Sequence, residues 1–277
     1  MTIQILTHAD CLTHEPGAGH PENPERLANV LNALHNTAIN TSLSFHDAPL
    51  GTDAQILLAH ETSHLERIRE TAPDEGEAAL DADTRMSPGS LNATLRAVGA
   101  ACQGVDNLMT ENTGAVFCAT RPPGHHATPT HAMGFCLFNH VAIAALHARE
   151  QYKLERIAIV DFDVHHGNGT QDIMQGREGV FYISTHQSPL YPGTGLEAEN
   201  INNNIKYIVL SANNYPKANN YLISLYSKRV FLIKNIFFRL VLIPLSLISY
   251  ICKNTFEFDG CSKNTKSKEI YNESLKK

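Results

Sequence analysis

Two loops in this sequence gather side chains that could bind a metal and move protons. One reads Arg121-Pro122-Pro123-Gly124-His125-His126-Ala127, where two prolines and a glycine stiffen a turn that ends in adjacent imidazoles. The other reads Asp161-Phe162-Asp163-Val164-His165-His166-Gly167-Asn168-Gly169-Thr170. Along an extended segment side chains alternate faces, so Asp161, Asp163 and His165 are expected to share one side. A carboxylate and an imidazole two residues apart on one face can grip a divalent cation such as zinc. A metal held by Asp163 and His165 would acidify a bound water and polarise a carbonyl. His125 and His126 would then serve as general base and acid, with Asp161 orienting one imidazole and Asn168 the other. That set suits hydrolysis of an amide. Plainer readings compete: a stiff turn with solvated imidazoles for the first loop, and a turn hydrogen-bonded by Asp and Asn for the second.

Such loops need strands to carry them. The pattern predicts a short strand over 2–6, then a helix opened by Pro24 and Glu25 with Leu27, Val30, Leu31 and Leu34 on one face. Asp53 is a good N-cap for a short helix through 56–59, and another helix is expected over 63–71. Residues 72–83 are acidic and loop-like, with Pro73 and Gly76 as breakers, and 90 to about 109 reads as a helix. Beyond it the chain alternates: strand 115–119, helix 138–149, strand 156–161, short helix 170–175, strand 180–184. Strand and helix alternating at these lengths predict an α/β fold with a parallel sheet and right-handed crossovers. Such sheets place sites beyond the carboxyl ends of their strands. The chemistry-bearing residues follow Ala119, Val160 and Ser184, at those ends.

The segments His20-Pro21-Glu22-Asn23-Pro24-Glu25-Arg26, 121–127, Gly134-Phe135-Cys136-Leu137-Phe138-Asn139, 161–170 and Ser188-Pro189-Leu190-Tyr191-Pro192-Gly193-Thr194-Gly195 together resemble the histone deacetylase superfamily. The Asn168 form is closer to its class II, acetylpolyamine-amidohydrolase-like and acetoin-utilisation-like bacterial members. The resemblance covers residues 1 to about 196. It implies an arginase/deacetylase-like parallel sheet sandwiched by helices, and removal of an acetyl group from a lysine side chain or a polyamine. It also implies that His125 and His126 flank a zinc-bound water, that Asp163 and His165 are two of three protein zinc ligands, and that Asp161 pairs with His125 and Asn168 with His126. A structural potassium ion would sit near Asp161, Asp163, His165, Ser184 and Thr185. Gly134, Phe135 and Tyr191 would line a narrow tunnel, with Asp81 or Asp83 as the acidic residue at its rim. Residues 20–26 would brace an entry loop and a helix start.

The resemblance stops where composition changes. Residues 1–196 hold 10 Lys+Arg against 22 Asp+Glu and all 15 histidines, whereas 197–277 hold 12 Lys+Arg against 6 Asp+Glu and a single glycine, Gly260. Superfamily members continue with a segment like Ser-Ala-Gly-Phe-Asp-Ala-His, which supplies the third zinc ligand, and a Gly-Gly-Tyr turn whose tyrosine binds the substrate carbonyl. Neither stands in 197–277, where Phe258-Asp259-Gly260 is the only phenylalanine–aspartate pair. The expectation is therefore a C-terminally incomplete domain over 1–196 with an impaired site, or an inactive acetyl-amine binding module, followed by a divergent tail. Loss of the tyrosine donor would cost about 2.7–4 kcal/mol of transition-state stabilisation. The tail reads as a frameshift, insertion or gene-end artefact rather than as a membrane segment over 230–252, which Lys234, Arg239 and Pro244 interrupt. The net charge of −6 argues against a nucleic-acid partner, the start lacks a signal-peptide pattern, and a cytoplasmic location is expected. Six cysteines without a CxxC pair read as buried thiols.

Overall fold

A computed structural model of the chain describes residues 2–38, 40–111, 113–196 and 204–210. The features of the tail (the apolar run 230–252, the segment Phe258-Asp259-Gly260 and the tail tyrosines other than Tyr207) lie outside the described residues. Among the described residues, no helix is long and apolar enough to cross a membrane.

The fold is α/β, with parallel sheets flanked by helices. In the first sheet, β1 (Ile3–Thr7) lies between β2 (Leu43–Asp47) and β5 (Ala115–Cys118), both parallel to it. Alternation along β1 sends Ile3 and Ile5 to one face, where Leu27 and Leu34 of α1 (Pro24–His35) cover them with Ala115. Leu6 points to the other face and packs with Val116 and with Ala100 and Leu108 of α4 (Ser90–Thr110). Burial on both faces is what a parallel sheet requires. In the second sheet, β7 (Val180–Gln187) lies between β6 (Ile157–Asp161) and β8 (Ile205–Leu210), again all parallel. β8 lies beyond the compositional break, and its Ile205 is buried in the main core.

That core joins Ile56 of α2 (Asp53–Ile56), Ile68 of α3 (Thr62–Thr71), Val98 of α4, Ile143 and Leu146 of α5 (His140–Tyr152), Ile159 of β6, Ile173 of α6 (Asn168–Met174) and Tyr182 of β7. α5 packs against α4, with its Ala142, Ile143, Ala145 and Leu146 in one core cluster with Leu95, Val98 and Cys102 of α4.

Three local features differ from what the sequence pattern predicts. α2 is capped by Thr52, not Asp53: the Thr52 hydroxyl accepts from Gln55 N, and the Gln55 side chain reaches back to Thr52 N in a capping box. α5 begins at His140 because the Asn139 side chain accepts from Ala142 N and caps it. The acidic loop contains Ala78–Ala79 (β3), which pairs antiparallel with Arg85–Met86 (β4) and holds the segment carrying Asp81 and Asp83 as a hairpin. Cys11, Cys102 and Cys136 are buried free thiols, and Cys118 is partly buried.

Candidate functional site

The loop after β5 and the loop after β6 meet. Thr170 N donates to His125 O at 3.0 Å, and Asn139 Nδ2 donates to Ala127 O at 3.1 Å and to Thr170 Oγ1 at 3.1 Å. His60 fixes Asn139 in turn, because its Nε2 accepts from Asn139 N at 2.8 Å while its Nδ1 donates to Thr128 O at 2.9 Å. Both nitrogens of His60 are thus committed to the neutral form. Burial, reinforced by the charge of His64, lowers its pKa to about 3.

The meeting loops form two histidine pairs. His125 Nδ1 lies 2.9 Å from Asp161 Oδ2, and His126 Nδ1 lies 2.8 Å from Asn168 Oδ1. Both acceptors fix the ring proton on Nδ1 and leave each Nε2 as an acceptor. The two rings stand 4.0 Å apart at 48°. Their environments push them in opposite directions. Burial disfavours the His125 cation, but the hydrogen bond and charge of Asp161, with the charge of Asp163, outweigh it and raise the pKa. His126 has only an amide partner, so burial and the charge of His125 lower it to about 3. One imidazole is held ready to carry charge and the other is kept neutral, the separation expected of an acid and a base.

Asp163 and His165 do not follow strand alternation, because the chain leaves the extended conformation after β6 and bends at 163–165. Asp163 Oδ1 accepts from His165 N at 2.8 Å in an Asx-type turn and lies 2.9 Å from His165 Nδ1. Asp161 faces His125, whereas Asp163 and His165 face each other. Burial would raise the Asp163 carboxyl, but His165 and the charge of His125 hold it below the usual carboxylate range. A carboxylate oxygen and an imidazole nitrogen at one point are the donor types zinc takes. Among the described residues, no group of three His, Cys, Asp or Glu side chains is placed to hold a metal ion.

The residues read as potassium ligands also cluster. Ser184 is the register partner of Asp161, and Thr185 Oγ1 donates to Asp161 O at 3.5 Å. Ser184 Oγ is engaged with His186 Nδ1 at 2.8 Å. Tyr191 stands edge-on to His126, with ring centroids 5.0 Å apart at 88°, and 6.3 Å from His165. Its phenol pKa is raised by burial and then by the charges of Asp83 and Asp81, so both acids lie within its electrostatic reach. Gly134 has φ +56°, and a Cβ there would lie 2.5 Å from the His126 ring; Phe135 follows with φ +67° and its ring 4.6 Å from His20. The 188–195 loop is tied down by His166 Nδ1 to Thr194 Oγ1 and by His186 Nε2 to Gly195 O, each at 2.8 Å.

Three contributors have no counterpart in these roles in the sequence pattern: His60, Tyr182, whose hydroxyl reaches Asp161 Oδ2 at 3.0 Å, and Arg121. Arg121 grips the carboxylate of Glu22 through two bonds of 2.6 Å. A buried histidine or tyrosine must satisfy its polar atoms, and that requirement is the only sequence signal for the first two.

The chain matches the family described as "Histone deacetylase domain" over residues 20–236, a range that runs past the compositional break. It is 42% identical over 196 residues to an uncharacterized protein of Synechocystis sp., covering 70% of this chain and 64% of that protein. It is 36% identical over 184 residues to the histone deacetylase-like amidohydrolase of Pseudomonas aeruginosa, covering 66% of this chain and 48% of the relative. A probable deacetylase of Methanothermobacter thermautotrophicus is 38% identical over 193 residues, with 69% and 57% covered. The crystal structure of the HDA15 HD domain superposes with a TM-score of 0.65 at 33% identity, covering 70% of this chain and 58% of that one. The chain therefore spans about half to two-thirds of the length of these relatives.

Proposed function

The chain belongs to the histone deacetylase family, and on that premise we propose that it is a zinc-dependent amidohydrolase acting on an acetylated amine. The observation that carries this reading is the pair of adjacent histidines held by unlike partners, Asp161 and Asn168, beside the Asp163–His165 donor pair. Asp163 Oδ1 and His165 Nδ1, 2.9 Å apart, are of the donor types zinc takes and would be two of the three protein donors that a catalytic site uses. Zinc would supply a polarised carbonyl and an acidified water. His126, neutral because burial holds its pKa low, accepts a proton at Nε2 as water adds to the acetyl carbon. His125, held by Asp161, supports positive charge beside the developing oxyanion and can return a proton to the amine as the C–N bond breaks. Phe135 and Tyr191 wall the approach, and Asp81 and Asp83 favour a cationic substrate such as an acetylated lysine peptide or an acetylpolyamine. A potassium ion near Asp161, Ser184 and Thr185 would stiffen the same loops.

A second reading is a module that binds acetylated amines without turning them over. It is supported by the donor count, since the described residues bring two metal donors together and not three. Zinc content of the purified chain, measured with hydrolysis of a fluorogenic acetyl-lysine substrate with and without chelator, separates the two. About one zinc per chain with chelator-sensitive turnover supports the enzyme. Acetyl-lysine binding without zinc or turnover supports the module, and absence of both binding and turnover overturns both readings.

A further inference from the structure

We propose that Tyr182 is a positioning residue for the His125–Asp161 pair, fixing the carboxylate from the neighbouring strand; the role rests on the deacetylase reading above. Tyr182 lies in the middle of β7 and is fully buried, so its hydroxyl must find a partner inside the protein. The partner is Asp161 Oδ2, at 3.0 Å, with Gly167 O at 3.2 Å as a weaker alternative for the same proton. A hydrogen bond to an ionised carboxylate is the stronger of the two. Asp161 Oδ2 is also the oxygen that receives His125 Nδ1–H at 2.9 Å. The other oxygen, Oδ1, accepts from Asp163 N at 3.2 Å. Each oxygen of Asp161 is therefore held by a donor other than His125, and the carboxylate cannot turn away from the ring it orients.

A second observation comes from the backbone. A Cβ at Gly167 would collide with Asp161 Oδ2, and would lie 2.6 Å from the Tyr182 hydroxyl and 3.0 Å from His125 Nδ1. The φ of Gly167 is −76°, which any residue adopts, so glycine is needed there for space and not for conformation. The three polar groups converge on one point, closed by a backbone with no side chain.

The test is the Nδ1–H proton resonance of His125 in the full chain labelled with 15N-histidine, assigned by its loss in His125→Asn. Tyr182→Phe removes one oxygen and keeps the ring in the core, and is expected to abolish the resonance through solvent exchange or to shift it upfield. Gly167→Ala, which pushes the trio apart from the other side, should do the same and decides the matter if Tyr182→Phe does not fold. Val180→Ala, a buried truncation on the same strand, should lower stability yet leave the resonance in place. An unchanged resonance in folded Tyr182→Phe, or an equal change in Val180→Ala, overturns the positioning role. Turnover is read on the same samples. A wild type that shows the resonance response but neither turns over nor binds acetyl-lysine would refute the deacetylase reading and leave the hydrogen-bond geometry standing.

Discussion

Replacing Glu22 with glutamine should destabilise the protein more than any single surface change. Glu22 is 0% exposed and Arg121 4% exposed, and the guanidinium spans the carboxylate with two bonds of 2.6 Å. Arg121 also donates to Cys11 O and His14 O at 2.9 Å each, and His14 Nε2 stands 3.3 Å from Glu22 Oε2. Glu22→Gln preserves volume but leaves a buried guanidinium without its counter-charge. Removing one partner of a buried pair costs about 3–5 kcal/mol, because the remaining charge stays desolvated. For a domain of this size that corresponds to a fall in Tm of about 6–20 °C. The assay is urea and thermal unfolding followed by circular dichroism, wild type against variant, at several pH values. Burial would raise the Glu22 carboxyl, but His14 and Arg121 outweigh it and lower it. A lowered folded-state pKa means the stabilisation is present above the unfolded value of about 4.3 and is lost as pH falls below it. The gap between wild type and Glu22→Gln should therefore be full at pH 7 and close in acid. Exchanging both partners, Glu22→Leu with Arg121→Met, should recover part of the loss but not all, since the carbonyls of Cys11 and His14 lose their donor. A change below about 1 kcal/mol for Glu22→Gln, the range of an exposed pair, would refute the argument.

Other outcomes follow from single contacts. Gly134→Ala forces an L residue to φ +56° against the His126 ring, and should lower acetyl-lysine hydrolysis about 100-fold or more, the scale of a lost acid–base group; an active variant would count against His126 as the base. His60 is neutral in the fold with its pKa near 3, so as pH falls from about 6.5 the unfolded chain takes up a proton that the folded one does not, and stability should drop by about 1.4 kcal/mol per pH unit from this residue alone. Urea unfolding of His60→Gln between pH 7 and pH 5 should lack that slope, and parallel pH profiles would disprove it. Leu34→Ala, at a fully buried position between α1 and β1, should cost about 2–5 kcal/mol by urea unfolding; a shift under 1 kcal/mol would mean that this cluster does not anchor α1.

Patterns that repeat locally are legible in the chain itself. Pro24 followed by Leu27, Val30, Leu31 and Leu34 marks α1, and the apolar runs around Ile159 and Val116 mark parallel strands. The likeness to the family is legible too, because five segments, the two histidine-bearing loops among them, carry it by residue type and order alone. β2 is not legible, since Leu43-Ser44-Phe45-His46-Asp47 is a half-exposed edge strand with no clear alternation. β8 is hidden too, because it lies past the point where composition changes character. Within the site, the sequence by itself placed carboxylates and imidazoles near strand ends. The likeness to the family already implied that Asp161 pairs with His125, but only the tertiary structure decided that Asp163 turns to His165 instead of sharing a face with Asp161, because the chain bends after β6. Likewise, only the structure joined Glu22 to Arg121 across 99 residues and brought the Tyr182 hydroxyl to Asp161. The physical reason is the same in each case. Periodicity reports which face of an element is buried, whereas a hydrogen-bond partner is chosen by strand register and by the approach of two loops, which no local pattern encodes.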